Sequence, residues 1–187
     1  MSIHPLGPPT PRQPTNRFWL PLEVFGHRVF PLKLLSEKPE EDPVRSSLGS
    51  EDNLPPEAIV DLGHSYSNIG MLCGAASNTT VLAVTTERAQ QWFDELDVST
   101  PSVWTRRARY YFFNYVPQEQ IEIPICECGM SILHDEILVL NDGEWIVYPG
   151  SMYEDGRLAY WEASPDDLEV ADLPELLLKR PADEPLH

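Results

Sequence analysis

The segment Leu138-Val139-Leu140-Asn141-Asp142-Gly143-Glu144-Trp145-Ile146-Val147-Tyr148 sets an Asp-Gly pair between two apolar, β-favouring runs. Asp-Gly tolerates positive φ at both central positions of a type I′ turn, whose twist matches that of the strands it joins. A two-residue loop then sets the register, with Asn141 opposite Glu144, Leu140 opposite Trp145 and Leu138 opposite Val147. The pattern returns in Met152-Tyr153-Glu154-Asp155-Gly156-Arg157-Leu158-Ala159-Tyr160-Trp161. There Glu154 is expected to face Arg157, an opposite-charge pair across the turn. Two such turns in succession predict an antiparallel meander.

Upstream, Ile121-Glu122-Ile123-Pro124-Ile125 alternates as a strand does, and Pro124 confines it to an edge. Thr79-Thr80-Val81-Leu82-Ala83-Val84 reads as another strand. Thr85 or Thr86 then caps a helix over 87–96, whose Ala89, Trp92, Phe93 and Leu96 follow i, i+3, i+4, i+7. Thr100-Pro101 carries a second helix-start signal. That helix is expected to run to about Arg107 and pass into a strand through Tyr110-Tyr111-Phe112-Phe113-Asn114-Tyr115, where aromatics favour sheet. Residues 58–63 read as a strand ending in a turn. The apolar run from Phe18 to Leu35, split at Gly26-His27, reads as two short strands. Ser164-Pro165-Asp166-Asp167 and Pro174-Glu175 each open a short helix.

The 187 residues suit one domain with tails. Residues 1–17 are proline-rich and are expected to be extended or disordered. Residues 18–180 form the domain and 181–187 a polar tail. Within the domain, residues 36–57 make an acidic loop, with seven acids against Lys38 and Arg45. The expected class is α+β: an antiparallel meander sheet of about five to seven strands, with about two to four short helices packed on it.

Thirty acids against 13 lysines and arginines leave a net charge of −17. Such a chain repels phosphates, which argues against direct binding to nucleic acid or anionic lipid. No apolar run approaches the roughly 18 residues of a membrane span. Met1-Ser2-Ile3-His4-Pro5 does not open a signal peptide, so a cytoplasmic protein is expected. Three cysteines, an odd number, read as free thiols in a reducing compartment.

Five constellations could carry function. Ile59-Val60-Asp61-Leu62-Gly63-His64-Ser65-Tyr66-Ser67-Asn68-Ile69-Gly70 resembles the first phosphate loop of the actin and hexokinase superfamily, with its strand-Asp-x-Gly-x-Ser/Thr pattern. That resemblance implies phosphate binding; the alternative is a turn whose Ser and Asn side chains bond to backbone. Asp61, His64, Ser65 and Cys73 supply the residue types of an activated nucleophile. Cys126, Cys128 and His134 could contribute to a metal site, although structural zinc takes four ligands. Arg106-Arg107-Ala108-Arg109-Tyr110-Tyr111 interleaves arginines with aromatics, a pattern suited to single-stranded nucleic acid unless the arginines pair with the protein's own carboxylates. Glu154, Asp155, Asp166 and Asp167, with Trp145, Tyr148, Tyr153, Tyr160 and Trp161 as candidate anchors, could form an acidic docking surface; the alternative is that these aromatics are core.

On charge and the lack of a catalytic motif, the leading expectation is a non-catalytic acidic protein-binding module without a cofactor. Its concrete form is an inhibitor or immunity-type protein that neutralises a basic toxin or a nucleic-acid-handling enzyme. The alternatives are a small hydrolase or transferase using Asp61, His64, Ser65 and Cys73, and an accessory subunit of a larger assembly.

Overall fold

The central strand β3, Thr79–Val84, is buried at all six positions. A strand covered on both faces reads as a continuous apolar and β-branched run rather than an alternating one. In this computed structural model, which describes residues 27–32, 37, 68–122 and 136–179, β3 organises the larger of two sheets. The strands are β1 (Val29–Leu32), β2 (Asn68–Leu72), β3, β4 (Ser102–Trp104), β5 (Arg109–Asn114), β6 (Ile137–Leu140), β7 (Trp145–Val147) and β8 (Tyr160–Ala163). They pair antiparallel as β1-β2-β7 and as β6-β3-β5-β4-β8.

The period of two along β3 and β5 separates two apolar clusters. Val81 and Phe112 join Phe30, Ile69, Met71, Ile146 and Tyr148, which fastens the five-stranded sheet to the three-stranded one. Leu82, Val84, Tyr111 and Phe113 face the other way, against Ala89 and Phe93 of helix α1 (Glu87–Asp94) and against Leu173 and Leu177. The rings of Phe93 and Tyr111 stack with centroids 4.0 Å apart. Helix α1 starts where expected: Thr86 is extended and its hydroxyl accepts from the Ala89 N–H at 3.2 Å.

The meander does not form. Leu140 pairs with Val81 and Trp145 with Leu72, so β6 and β7 lie in different sheets. The reason is in the turn. Gly143 has φ 81°, but Asp142 stays at negative φ, whereas a type I′ turn needs both positive. The Asp142 carboxylate instead accepts from the Ala75 N–H at 2.7 Å and the Tyr115 hydroxyl at 2.8 Å, which holds the crossover between sheets.

The second turn is a hairpin with a register one residue from that expected. Tyr153 N–H donates to the Arg157 carbonyl at 2.8 Å, and Met152 pairs with Leu158. The loop therefore has three residues, and Gly156 takes the positive φ such a loop requires. Asp155 accounts for the extra residue: its carboxylate accepts from the Arg157 N–H at 3.1 Å and its Nε at 2.8 Å. Arg157 thus turns to Asp155 rather than Glu154.

Thr100-Pro101 leads into strand β4, not a helix. The Phe112 N–H donates to the Pro101 carbonyl at 3.1 Å and the Thr100 hydroxyl donates to the Phe112 carbonyl, so long-range pairing overrides the local cap signal. Ser164-Pro165 makes a single turn, closed by Leu168 N–H to the Ser164 carbonyl at 3.0 Å. Glu175–Leu177 is one turn of 3₁₀ helix, as is Gln118–Gln120. Strand β2 replaces the turn read around Asn68 and Gly70. It is buried throughout, and Gly70 is needed there: a Cβ would lie 2.4 Å from Cζ of Phe30. The strands expected over 18–25, 58–63 and 123–125 lie outside the described residues, as does most of the acidic loop. Among the described residues no helix is long and apolar enough to cross a membrane.

Candidate functional site

Helix α1 covers its face of the large sheet only as far as its N-terminus. Beyond that, the cross-strand partners Val84, Arg109, Trp104 and Tyr160 continue in a row to the sheet edge. Directly paired residues share a face, so these side chains stand next to one another. Trp104 and Tyr160 are exposed. The Arg109 guanidinium lies 5.3 Å from the Trp104 ring centre and 4.9 Å from that of Tyr111, in cation–π geometry. It pairs with Glu162, which also accepts from the Ser102 hydroxyl at 3.0 Å. The Arg109 Nε is buried without a hydrogen-bond partner among the described residues.

A tight turn, Thr105-Arg106-Arg107-Ala108, joins β4 to β5. The Thr105 N–H donates to the Ala108 carbonyl at 3.0 Å. The Thr105 hydroxyl donates to the same carbonyl at 2.7 Å and accepts from the Ala108 N–H at 3.1 Å. This bonding leaves two arginines at the tip of a rigid hairpin. Arg107 pairs with Glu37 at 3.3 Å and Arg106 with Asp155 at 3.7 Å. Both are solvent-exposed ion pairs, a kind worth about 0–1 kcal/mol, so either carboxylate is readily exchanged for another anion.

The facing wall is the junction between β3 and α1. Thr85 donates its N–H and its hydroxyl to the Glu136 carbonyl, each at 2.9 Å. The Thr86 hydroxyl donates to the Glu136 carboxylate at 2.7 Å, and the Arg88 guanidinium grips the same group. Arg88 and Thr86 together hold the Glu136 carboxyl below its ordinary range. Between the walls lies a cleft of about 460 Å³, lined by Thr86, Glu87, Gln90, Trp104, Arg107 and Arg109 among others. Among the described lining residues, Arg106, Arg107 and Arg109, each paired with a carboxylate, share the cleft with Glu87 and the exposed Trp104 ring. Guanidinium forks suit phosphate oxygens and indole faces suit bases, so the cleft has the chemistry of a nucleic-acid contact.

The other expected sites fare differently. Asp61, His64 and Ser65 lie outside the described residues. Cys73 is buried, and desolvation, with the Glu144 carboxylate adding to it, pushes its thiol well above the ordinary range, away from a reactive thiolate. Cys126, Cys128 and His134 lie outside the described residues. Of the proposed docking surface, Tyr153 is buried, Trp145 packs edge-on against Phe30 at 5.9 Å, and Trp161 packs against Phe112 at 5.1 Å. Asp155 is held by Arg157 and Arg106, and Asp167 accepts from the Ser164 hydroxyl at 2.6 Å. Glu154 and Asp166 are exposed. Trp104 is the member that the sequence reading missed, and Tyr160 stands beside the arginines rather than in the acidic docking surface expected of it. Each sits at an ordinary strand position, and only the pairing of β4 with β5 and β8 brings them to the arginines.

The family model described as Bifunctional DNA primase/polymerase, N-terminal, matches residues 22–176. No curated protein matches the chain. The family match overturns the leading expectation of a non-catalytic inhibitor or immunity-type module, because it points to a domain that handles nucleic acid enzymatically. It agrees better with the transferase alternative. It equally overturns the expectation of no direct nucleic acid, which gave the total charge more weight than the arginine–aromatic motif at 106–111. With the match running over most of its length, this chain belongs to the bifunctional DNA primase/polymerase N-terminal family.

Proposed function

We propose that the domain takes hold of single-stranded DNA in the cleft between the α1 N-terminus and the β4–β5 turn. Arg106 and Arg107 contact phosphates, and Trp104, with Tyr160 beside it, offers a ring on which a base stacks. Arg109, clamped between two rings and Glu162, holds Trp104 in place. The single observation that carries this reading is the gathering of Arg106, Arg107 and Arg109 beside exposed aromatics on one cleft, in a chain otherwise rich in acids.

Fluorescence anisotropy with an end-labelled oligonucleotide tests it. Arg106→Ala/Arg107→Ala removes two phosphate contacts, so the slope of log K against log salt shrinks by about 1.4 for a single strand. Trp104→Ala costs about 1–3 kcal/mol of binding if one base stacks there. Wild-type affinity and slope in both variants would refute the assignment.

A further inference from the structure

Primase and polymerase chemistry runs on two divalent cations about 4 Å apart that clamp the reacting phosphoryl oxygens. Magnesium of that kind is held by one or two carboxylates together with substrate phosphates. Among the described residues the cleft offers one unengaged carboxylate, Glu87, which is too few to hold a pair of such ions. Strand β3 contains no acid and delivers Val84 to the cleft, followed by Thr85 and Thr86. Glu136 is engaged by Arg88 and by the Thr86 hydroxyl. Glu162 is engaged by Arg109 and by the Ser102 hydroxyl. Glu87 is the carboxylate that lines the cleft itself, opposite Arg106, Arg107 and Arg109. Among the described residues no group of three or more His, Cys, Asp or Glu side chains could hold a metal ion.

We propose that this cleft holds single-stranded DNA through its arginines and aromatic rings alone, with no divalent cation bridging protein to phosphate. The inference rests on the cleft being the DNA site. Its physical basis is substitution of charge. A guanidinium fork gives a phosphate two parallel N–H donors and a full positive charge, which covers the oxygens a cation would otherwise bridge. A cation entering the same space would find Glu37, Asp155 and Glu162 already paired with Arg107, Arg106 and Arg109, which leaves Glu87 as the one unengaged carboxylate among the described lining residues.

The full chain is titrated against an end-labelled oligo-dT by anisotropy, once with magnesium and once with EDTA, at matched ionic strength. The expected result is affinity equal within about twofold in the two buffers, since counterion release depends on total salt. A loss of tenfold or more in EDTA would overturn the inference while leaving the DNA site in place. Absence of binding in both buffers would overturn the site assignment and this inference with it. Glu87→Gln gives an independent reading. Without a bridging cation it removes a repulsive charge and binding tightens or holds; weaker binding in magnesium alone would show a cation on Glu87 and overturn the inference.

Discussion

Arg109→Lys isolates what the planar guanidinium contributes to the site. Lysine keeps the positive charge and its pairing with Glu162, but it loses the flat surface that lies over Trp104 and Tyr111. A cation–π contact contributes about 0.5–1 kcal/mol when exposed and about 2 kcal/mol when desolvated. Arg109 is 19% exposed, so its two contacts sit between these limits. Lysine retains part of each, which leaves an expected destabilisation of about 1–2 kcal/mol. In a chain of this size that lowers the melting temperature by about 2–8 °C. Urea unfolding followed by tryptophan fluorescence measures it directly. A change below about 0.3 kcal/mol, within the range of ordinary surface substitutions, would refute the claim that the ring stack positions Arg109. In the DNA assay Arg109→Lys should weaken binding less than the loss of both tip arginines, because the charge stays and only the alignment of Trp104 loosens.

Gly70→Ala forces a methyl into the Phe30 ring at 2.4 Å and should cost about 1–3 kcal/mol by overpacking. Denaturant unfolding reads the cost, and adding Phe30→Leu should recover part of it, since the two sites touch. Thr86→Ala removes both the α1 cap and a bond to Glu136, for about 1–2 kcal/mol of stability, measurable by thermal unfolding. Glu136 has a folded-state pKa held below its ordinary value by Arg88 and Thr86. Its contribution to stability is therefore full above the unfolded value of about 4.3 and is lost as pH falls through the lower folded value. Stability curves of wild type and Glu136→Gln should converge in that acid range; parallel curves would show that the carboxylate has no such role.

Some of this architecture was legible from local signals and some was not, for identifiable reasons. Strand β3 and helix α1 were readable because burial pattern and cap reside within a dozen consecutive residues. The aromatic run 110–115 was readable as strand, and it became β5. The sheet-switching turn at Asp142 was not readable, since Asp-Gly serves several turn types. The choice there is made by Ala75 and Tyr115, which capture the Asp142 side chain from far away in sequence. Strand β2 was hidden because Asn68 and Gly70 look like turn residues. Asn68 instead exchanges hydrogen bonds with Met152, at 2.7 and 2.9 Å, and Gly70 makes room for a ring. The arginine motif was visible, and so was its pairing with native carboxylates. What could not be seen was that β4 and β8 lay exposed aromatics alongside it.

The chain's −17 charge and a DNA-binding cleft are reconciled by distance. Charges in water act over a Debye length of about 8 Å at physiological salt. A phosphate seated in the cleft therefore feels Arg106, Arg107, Arg109 and Glu87, with the arginines' partners Glu37, Asp155 and Glu162, far more than the acids spread elsewhere. Where it displaces Glu37 or Asp155 from an exposed pair, it takes over that arginine's charge. A strand still in solution feels the whole molecule, which repels it. Affinity and approach should thus respond to salt with opposite signs. Raising salt screens the long-range repulsion and speeds association, while it weakens the arginine–phosphate contacts and speeds dissociation even more. Most DNA-binding proteins are steered in by their own positive field, so their association slows as salt rises. Stopped-flow anisotropy across a salt series separates the two rates. An association rate that falls steeply with salt would mean that the field met by incoming DNA is positive, and the charge argument for this cleft would fail.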